Sequence, residues 1–336
     1  MLRLPAIALA ASMLLAASAA AQPACLPRPV TTPDSTGRLP SLQLGLAPAP
    51  TLCAYDMQDA PAGLGCWTVD AAKGALSAST TTGLPGHGRR VRADAAGCID
   101  GFCVASGAAP PEPRLFAVSS SGTHAAMLDD EAVHVFDVRT KMRTVSIKLS
   151  DPQASDTTNV SNVPVRLLFV DDTIFVVGSD AGPFIGVWQF KADGRRLGRI
   201  VRNTQSGADG ETFNVFQGSV SLLGAGHIAL TDAGLRSMLV VPIGEGKPRL
   251  IRRTTASAPC SKTHMERMAE GDLTLPAACR AVVRRQFEPY FDASLVQLAS
   301  GDFLVALTGP AQGELALLDA RTLAEKRRIK PAKCPR

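Results

Sequence analysis

The sequence predicts an all-β protein built from repeated four-stranded antiparallel units. Three observations lead to this prediction. A hairpin-like segment recurs along the chain, short apolar runs alternate with turn residues around each copy, and the apolar residues are mostly small and aliphatic. Hydrophobic residues make up 46% of the 336 residues but aromatic residues only 5%, a composition that suits sheets packed closely through Ala, Val, Leu and Ile.

The recurring segment is a hairpin of two short strands. Its clearest copy is AVHVFDVRTKMRTVSI, Ala132 to Ile147, and further copies begin CWTVD, GVWQF, MLVVP and LALLD. The equivalent turn positions are separated by 67, 53, 52 and 77 residues, and they are Asp70, Asp137, Phe190, Pro242 and Asp319. A unit of about fifty residues with insertions fits a propeller blade better than a helical solenoid.

Four strand-like runs surround the clearest unit. RLLFVDD, TIFVVGS, FIGVWQFK and RRLGRIV are parted by turn-forming residues, among them Asp171-Asp172 and Ala192-Asp193-Gly194. Residues 114–149, 215–253 and 289–330 divide in the same way, and residues 39–80 do so less clearly. Five blades are therefore recognisable. HGRRVRADAAGCIDGFCVASG, from His87, adds a strand pair that fits a sixth, degenerate blade, so the sequence allows five to seven.

The turn between the third and fourth strands carries the motif Asp-x-x-Thr in FDVRT and LDART. In this feature the chain resembles the bacterial β-propellers of the YVTN and Trp-Asp-repeat type, over residues 38 to 330, although Phe190 and Pro242 depart from the motif. The resemblance implies a single WD40-like β-propeller that closes by pairing the chain ends in one blade. The alternative fold is a pair of two-layer β-sandwiches.

The chain begins with a secretory signal pattern. MLRLPAIALAASMLLAASAAA has one basic residue, an apolar run and a small-residue end, which predicts a signal peptide over residues 1–21, cleaved after Ala21. The alternative is an uncleaved membrane anchor. Residues 22–37 form an N-terminal segment and residues 331–336 a tail. We therefore expect an exported protein, periplasmic or secreted, with no membrane span after cleavage.

Charge and cysteine content agree with export. Cleavage of the signal peptide removes Arg3 and takes the formal charge from +5 to +4. A charge this small does not indicate a nucleic-acid-binding protein. The 8 cysteines form an even set, which predicts disulfides in an oxidising compartment. Facing positions about local turns favour the pairs Cys98 with Cys103 and Cys53 with Cys66. Cys260 and Cys279 bracket one insertion, which leaves Cys25 with Cys334 to join the two ends of the chain. Several free buried thiols are the alternative.

One segment breaks the strand pattern. Residues 254–286 contain a capping-box spacing at Thr263 and Glu266, and Pro276 suits the first turn of a second helix. This predicts a helical hairpin inserted between blades and clipped by Cys260 and Cys279. From Arg249 to Arg285 the chain has 8 Arg or Lys against 3 acidic residues, a surplus of 5.

The basic insertion supplies the candidate binding residues, Arg252, Arg253, Arg280, Arg284 and Arg285. Arginine binds carboxylates and phosphates in bidentate fashion, so these side chains predict a cationic face for a protein or an anionic envelope ligand. The alternative is a solvated helix face that keeps the protein soluble.

No motif identifies a reaction. The five histidines have no ligand spacing for zinc or iron, Gly-x-Ser-x-Gly is absent, and the doublets Asp129-Asp130 and Asp171-Asp172 fit tight turns. We expect no metal and no cofactor. The sequence favours a binding or scaffold module that presents loops on a rigid face. The alternative is a lactonase- or glycosidase-like hydrolase or lyase with carboxylates at the central channel.

Overall fold

The structure is a computed structural model, and it describes most of the chain between residues 41 and 331. The predicted signal peptide, the N-terminal segment, Cys25 and Cys334 lie outside the described residues. The described ranges are 41–55, 65–81, 83–104, 113–129, 131–154, 159–160, 164–180, 184–201, 204–206, 212–214, 219–224, 226–232, 234–253, 260, 274–290, 293–308 and 311–331.

Five antiparallel sheets form the blades of a propeller ring. Blade 1 contains β1 (Ser41–Leu46), β2 (Pro50–Tyr55), β3 (Gly65–Asp70) and β4 (Ala75–Ala78). Blade 2 contains β5 (Arg89–Arg92), β8 (Pro113–Val118), β9 (His124–Leu128), β10 (Ala132–Asp137) and β11 (Arg143–Lys148). Between β5 and β8 the chain forms a short hairpin of β6 (Cys98–Ile99) and β7 (Phe102–Cys103).

The remaining blades follow in chain order. Blade 3 contains β12 (Pro164–Val170), β13 (Thr173–Asp180), β14 (Phe184–Lys191) and β15 (Arg196–Val201), and a hairpin of β16 (Thr204–Ser206) and β17 (Thr212–Asn214) follows it. Blade 4 contains β18 (Ser219–Gly224), β19 (His227–Thr231), β20 (Ser237–Pro242) and β21 (Arg249–Arg252). Blade 5 contains β22 (Ser294–Gln297), β23 (Phe303–Ala306), β24 (Leu315–Leu318) and β25 (Glu325–Ile329). The described residues contain one α-helix, α1 (Ala277–Gln286), which is followed by a 3-10 helix (Glu288–Tyr290).

The order of the strands defines two faces of the ring. We call lower the face with the turns from first to second and from third to fourth strands. The upper face carries the turns from second to third strands and the connections between blades. The first strands of blades 1, 4 and 5 pack against one another, and so do those of blades 2 and 3, so the first strands line the centre.

Apolar clusters join consecutive blades through their sheet faces. Separate clusters bridge blades 2 and 3, blades 3 and 4, blades 4 and 5, and blades 5 and 1. Each is made mainly of Val, Leu, Ile and Ala, with Trp188 and Trp67 as the largest buried side chains. This close packing of small aliphatic residues is what the aromatic-poor composition predicts.

The boundary between blades 1 and 2, which we call the seam, differs from the other four boundaries because an inserted segment lies between the two sheets. The residues between β4 and β8, numbers 79–112, form what we call the seam insertion. Its strand β5 pairs with β8 in blade 2, and Ile99 and Phe102 of its hairpin cover the face of blade 2 that carries Phe116 and Phe136. Toward blade 1, Leu84 packs on the Cys53–Cys66 disulfide.

The structure differs from the sequence predictions in two respects. The strand pair from His87 does not make a sixth blade: its first strand extends the sheet of blade 2 and its second part is the separate hairpin. The chain ends share no blade among the described residues, because the strands of each sheet come from one contiguous stretch of chain. The ring closes instead where Arg327 of blade 5 donates to the Ala72 carbonyl of blade 1 at 2.6 Å. The five separate sheets also exclude the sandwich alternative.

The Asp-x-x-Thr turns adopt the predicted position between third and fourth strands. The Asp137 carboxylate accepts hydrogen bonds from the backbone and hydroxyl of Thr140, and Asp319 does the same with Thr322. The backbone bonds and then the hydroxyl bond lower the pKa of Asp137. Each turn closes through a residue with positive φ, Lys141 or Leu323.

Three predicted disulfides are confirmed, namely Cys53–Cys66, Cys98–Cys103 and Cys260–Cys279. The first two join residues directly opposite in antiparallel pairs, as the turn sequences predict. The third closes the insertion between blades 4 and 5, residues 254–292, which we call the rim insertion. Its predicted first helix, with Thr263 and Glu266, lies outside the described residues, and α1 begins directly after Pro276 as predicted.

Candidate binding surfaces

Hydroxyl side chains fasten the first strands to one another around the centre. The Ser294 hydroxyl accepts from the Leu44 amide at 2.9 Å, joining blades 5 and 1. Ser219 donates to the Ala293 carbonyl at 2.7 Å and Ser221 accepts from the Leu295 amide at 3.2 Å, joining blades 4 and 5. Because all three serines are buried, these bonds hold the ring in one geometry.

Part of the seam insertion, residues 83–88, crosses the lower end of the channel; we call it the strap. Gly86 exchanges backbone hydrogen bonds with Val118 and Phe169, and the Gly88 amide donates to Leu167 at 2.7 Å. A Cβ on Gly88 would lie 2.5 Å from the Leu167 carbonyl oxygen, so this approach requires glycine. The strap is therefore fastened to the first strands of blades 2 and 3.

His87 is the titratable group of the strap. Its Nδ1 lies 3.2 Å from the Pro85 carbonyl, and its Nε2 is buried without a hydrogen-bond partner. Burial lowers the pKa of His87 to about 4, and the charge of Arg166 adds to this effect. The imidazole is therefore neutral at pH 7.

The first strands of the five blades, which line the centre, carry no carboxylate side chain. The five first strands read SLQLGL, PRLFAV, PVRLLFV, SVSLLG and SLVQ, with no Asp or Glu. Nor do the described residues contain a cluster of three or more His, Cys, Asp or Glu that is able to hold a metal ion.

The rim insertion is anchored to the upper face at several points. Cys279 on the buried side of α1 is tied to Cys260, and both pack with Val282 and Phe287. After the helix, Tyr290 enters the core between blades 4 and 5. Burial, and then its hydrogen bond to Glu325, raise the pKa of Tyr290 to about 12. The helix is thus held rigidly at the rim.

The candidate arginines occupy different environments. Arg253 is half-buried: its guanidinium donates to the Gln286 carbonyl at 3.1 Å and lies 4.3 Å from the centre of the Tyr290 ring. A cation at a helix C-terminus is favourable, so Arg253 fastens the end of α1. Arg252 is exposed at the end of β21.

Arg280 and Arg285 are exposed on α1. Arg280 donates to the Leu275 carbonyl at 3.2 Å, and neither side chain forms an ion pair with a carboxylate among the described residues. The Arg284 side chain lies outside what the structure describes. Because Arg253 contacts Gln286, the structure brings Arg252 and Arg253 to the end of the helix that carries Arg285.

A second surface lies on the lower face, at the seam. A cavity of about 400 Å³ opens between the strap, the tip of the β6–β7 hairpin and the Ser119–Gly122 turn of blade 2. Its lining includes Phe116 and Val118 as well as Arg89 and Asp100, whose charged groups are 3.4 Å apart. The sequence did not predict this cavity. The crowded glycines of GLPGHGRR are the one signal of close backbone contact there.

A hydrogen-bonded chain of Asp129, His134 and Ser146 lies in the outer part of blade 2. His134 is bonded at both nitrogens, to Asp129 at 2.8 Å and to Ser146 at 2.9 Å. Burial opposes ionisation of Asp129, but the bonds from His134 and from two backbone amides outweigh it and lower the pKa to about 2. The chain ties β11 to the β9–β10 turn, as expected of a satisfied structural histidine.

No protein-family model and no curated protein sequence matches this chain. Solved structures of β-propeller and WD40-like proteins are similar to it. One is YCF48 bound to a D1 peptide, with 11% identity, a TM-score of 0.37 and coverage of 94% of this chain and 75% of that one. Another is BamB from Moraxella catarrhalis, with 12% identity, a TM-score of 0.36 and 63% of this chain covered.

The WD40 domain of SCAP from fission yeast is also similar, with 10% identity, a TM-score of 0.29 and coverage of 65% of this chain. The chain spans 50% of the BamB chain and 44% of the SCAP chain. In the described residues no helix has the length and apolar character needed to cross a membrane.

Proposed function

We propose that this protein is an exported binding module. Its rim insertion binds a partner protein by contacting clustered acidic side chains on that partner. The observation that carries the proposal is the fixed presentation of Arg280 and Arg285. Both are exposed, and the helix that bears them is braced within the insertion by a disulfide and joined to blade 4 by Arg253. Cationic groups held in place lose little entropy on binding carboxylates.

The rest of the molecule supports a binding role. The first strands are fastened by buried serines, and the strap is hydrogen-bonded to blades 2 and 3. The first strands contain no acidic residue. A rigid ring with loops at one face is well suited to presenting a surface. Three disulfides and the apolar N-terminal sequence are compatible with export.

The test measures binding of fluorescent poly-L-glutamate to oxidised protein beginning at Gln22, by anisotropy at low and moderate salt. Arg280→Glu with Arg285→Glu should weaken binding about tenfold or more. The control is Arg139→Glu with Arg321→Glu, an equal charge change at exposed turn residues of the lower face. Equal losses in both double variants would mean non-specific attraction.

Other polyanions decide the class of partner. Tighter binding to phosphatidylglycerol vesicles or to heparin than to poly-L-glutamate, lost in the rim variant, would overturn the assignment to an acidic protein. Absence of binding to every polyanion would overturn the cationic face itself.

A further inference from the structure

The cavity at the seam carries an inference that does not depend on the rim insertion. Its volume of about 400 Å³ falls within the range of small-molecule sites, roughly 300–1,000 Å³. The cavity is formed where the seam insertion, rather than a second apolar sheet, faces blade 2. Three separate parts of the chain wall it: the strap with β5, the hairpin tip and the first turn of blade 2.

The walls are held firmly in place. Cys98–Cys103 closes the hairpin whose tip carries Asp100. The Ser119 hydroxyl accepts from the His124 amide at 3.1 Å, and the Gly122 amide donates to the Ser119 carbonyl at 2.9 Å. A preformed cavity binds a ligand without first having to be ordered.

The lining combines one apolar wall with one pair of opposite charges. Leu84, Pro85, Phe116 and Val118 contribute the apolar surface. Arg89 and Asp100 contribute the charges, at 3.4 Å, with side chains 24% and 63% exposed. A partly exposed pair at that distance interacts weakly, so a ligand with both charges loses little by separating it. His87, also in the lining, is neutral at pH 7 and adds no third charge.

We propose that this cavity binds a small zwitterion with an apolar side chain, a free α-amino acid or a dipeptide. The ligand carboxylate would accept hydrogen bonds from the Arg89 guanidinium, and its ammonium group would donate to the Asp100 carboxylate. Its side chain would pack on Phe116 and Val118. Two charge-assisted contacts would replace the 3.4 Å contact between Arg89 and Asp100.

The test is isothermal titration calorimetry of the oxidised protein with L-leucine, L-phenylalanine and Leu-Leu. Leucinol lacks the carboxylate and 4-methylpentanoate lacks the amine, and each should bind at least about tenfold more weakly than leucine. Equal binding of 4-methylpentanoate and leucine would overturn the zwitterion assignment. No heat with any of the three ligands would overturn the site.

Three variants locate the binding. Arg89→Gln and Asp100→Asn should each weaken leucine binding about tenfold. Asparagine tolerates the positive φ of position 100, so Asp100→Asn keeps the hairpin turn. Arg90→Gln, on the same strand but exposed and outside the cavity lining, is the matched control. Leucine binding that is unchanged in Arg89→Gln, with an unchanged thermal midpoint, would overturn the proposal.

Discussion

The seam insertion and the rim insertion each contain a disulfide, yet their side chains have opposite roles. The seam insertion buries Ile99 and Phe102 against blade 2 and places its strap across the channel. The rim insertion buries one side of α1 and leaves Arg280 and Arg285 exposed. The seam insertion therefore completes the ring, whereas the rim insertion extends a surface from a ring that is already complete.

The largest effect should come from removing an aromatic ring of the seam insertion. Phe102 is 2% exposed and its ring lies 5.4 and 5.5 Å from those of Phe116 and Phe136. Phe102→Ala should lower the free energy of unfolding by about 3–5 kcal/mol, as measured by guanidinium denaturation.

The matched change in the rim insertion is Val282→Ala, in the small cluster beneath α1. It should lower the free energy of unfolding by only about 2 kcal/mol. Equal losses in the two variants would contradict the idea that the seam insertion alone completes the ring.

The second effect depends on pH. Burial lowers the pKa of His87 to about 4 from 6.5, so below pH 6.5 the unfolded chain binds a proton that the folded protein does not. The free energy of unfolding should therefore fall as pH decreases from 6.5 toward 4, by up to about 3 kcal/mol. His87→Gln, which does not titrate, should flatten this slope in denaturation curves recorded from pH 7 to pH 4.

The rim insertion provides the control for this titration. Arg280→Gln with Arg285→Gln leaves His87 and its surroundings in place, so this double variant should leave the slope unchanged. A slope that is the same in the parent protein and in His87→Gln would show that His87 does not carry the effect.

The third effect concerns the close approach of the strap to blade 3. Gly88→Ala would place a methyl group 2.5 Å from the Leu167 carbonyl oxygen, and the resulting shift should cost about 1–3 kcal/mol. The control is Gly122→Ala, where φ is +72° but nothing lies within 4 Å, and the conformational cost alone is about 1 kcal/mol. A smaller loss at Gly88 than at Gly122 would mean that the strap is not tightly fitted.

Features set by neighbouring residues could be predicted from the sequence. Asp137 with Thr140 forms the predicted turn, and Cys98 with Cys103 faces across the predicted hairpin. The Asp-x-x-Thr motif and the turn-forming residues act between neighbours in the sequence. The hairpins, and from them the five blades, can therefore be predicted from the sequence.

Features that depend on contacts between residues far apart in the sequence could not be predicted from it. The pairing of Arg89 with Phe116 in one sheet joins residues on either side of a hairpin, and no periodic pattern indicates it. The cavity requires Arg89, Asp100 and Ser119 to meet, which follows only from that pairing. In the rim insertion, the surplus of basic residues could be read from the sequence. The contacts of Arg253 with the Gln286 carbonyl and the Tyr290 ring could not.

The most direct measurement for the central claim is amide hydrogen exchange of the oxidised protein with and without poly-L-glutamate. With poly-L-glutamate bound, we expect slower exchange over residues 274–290 and unchanged exchange over residues 83–104 and 113–122. Slower exchange confined to the seam or the lower face, or bound poly-L-glutamate without any change over residues 274–290, would contradict it.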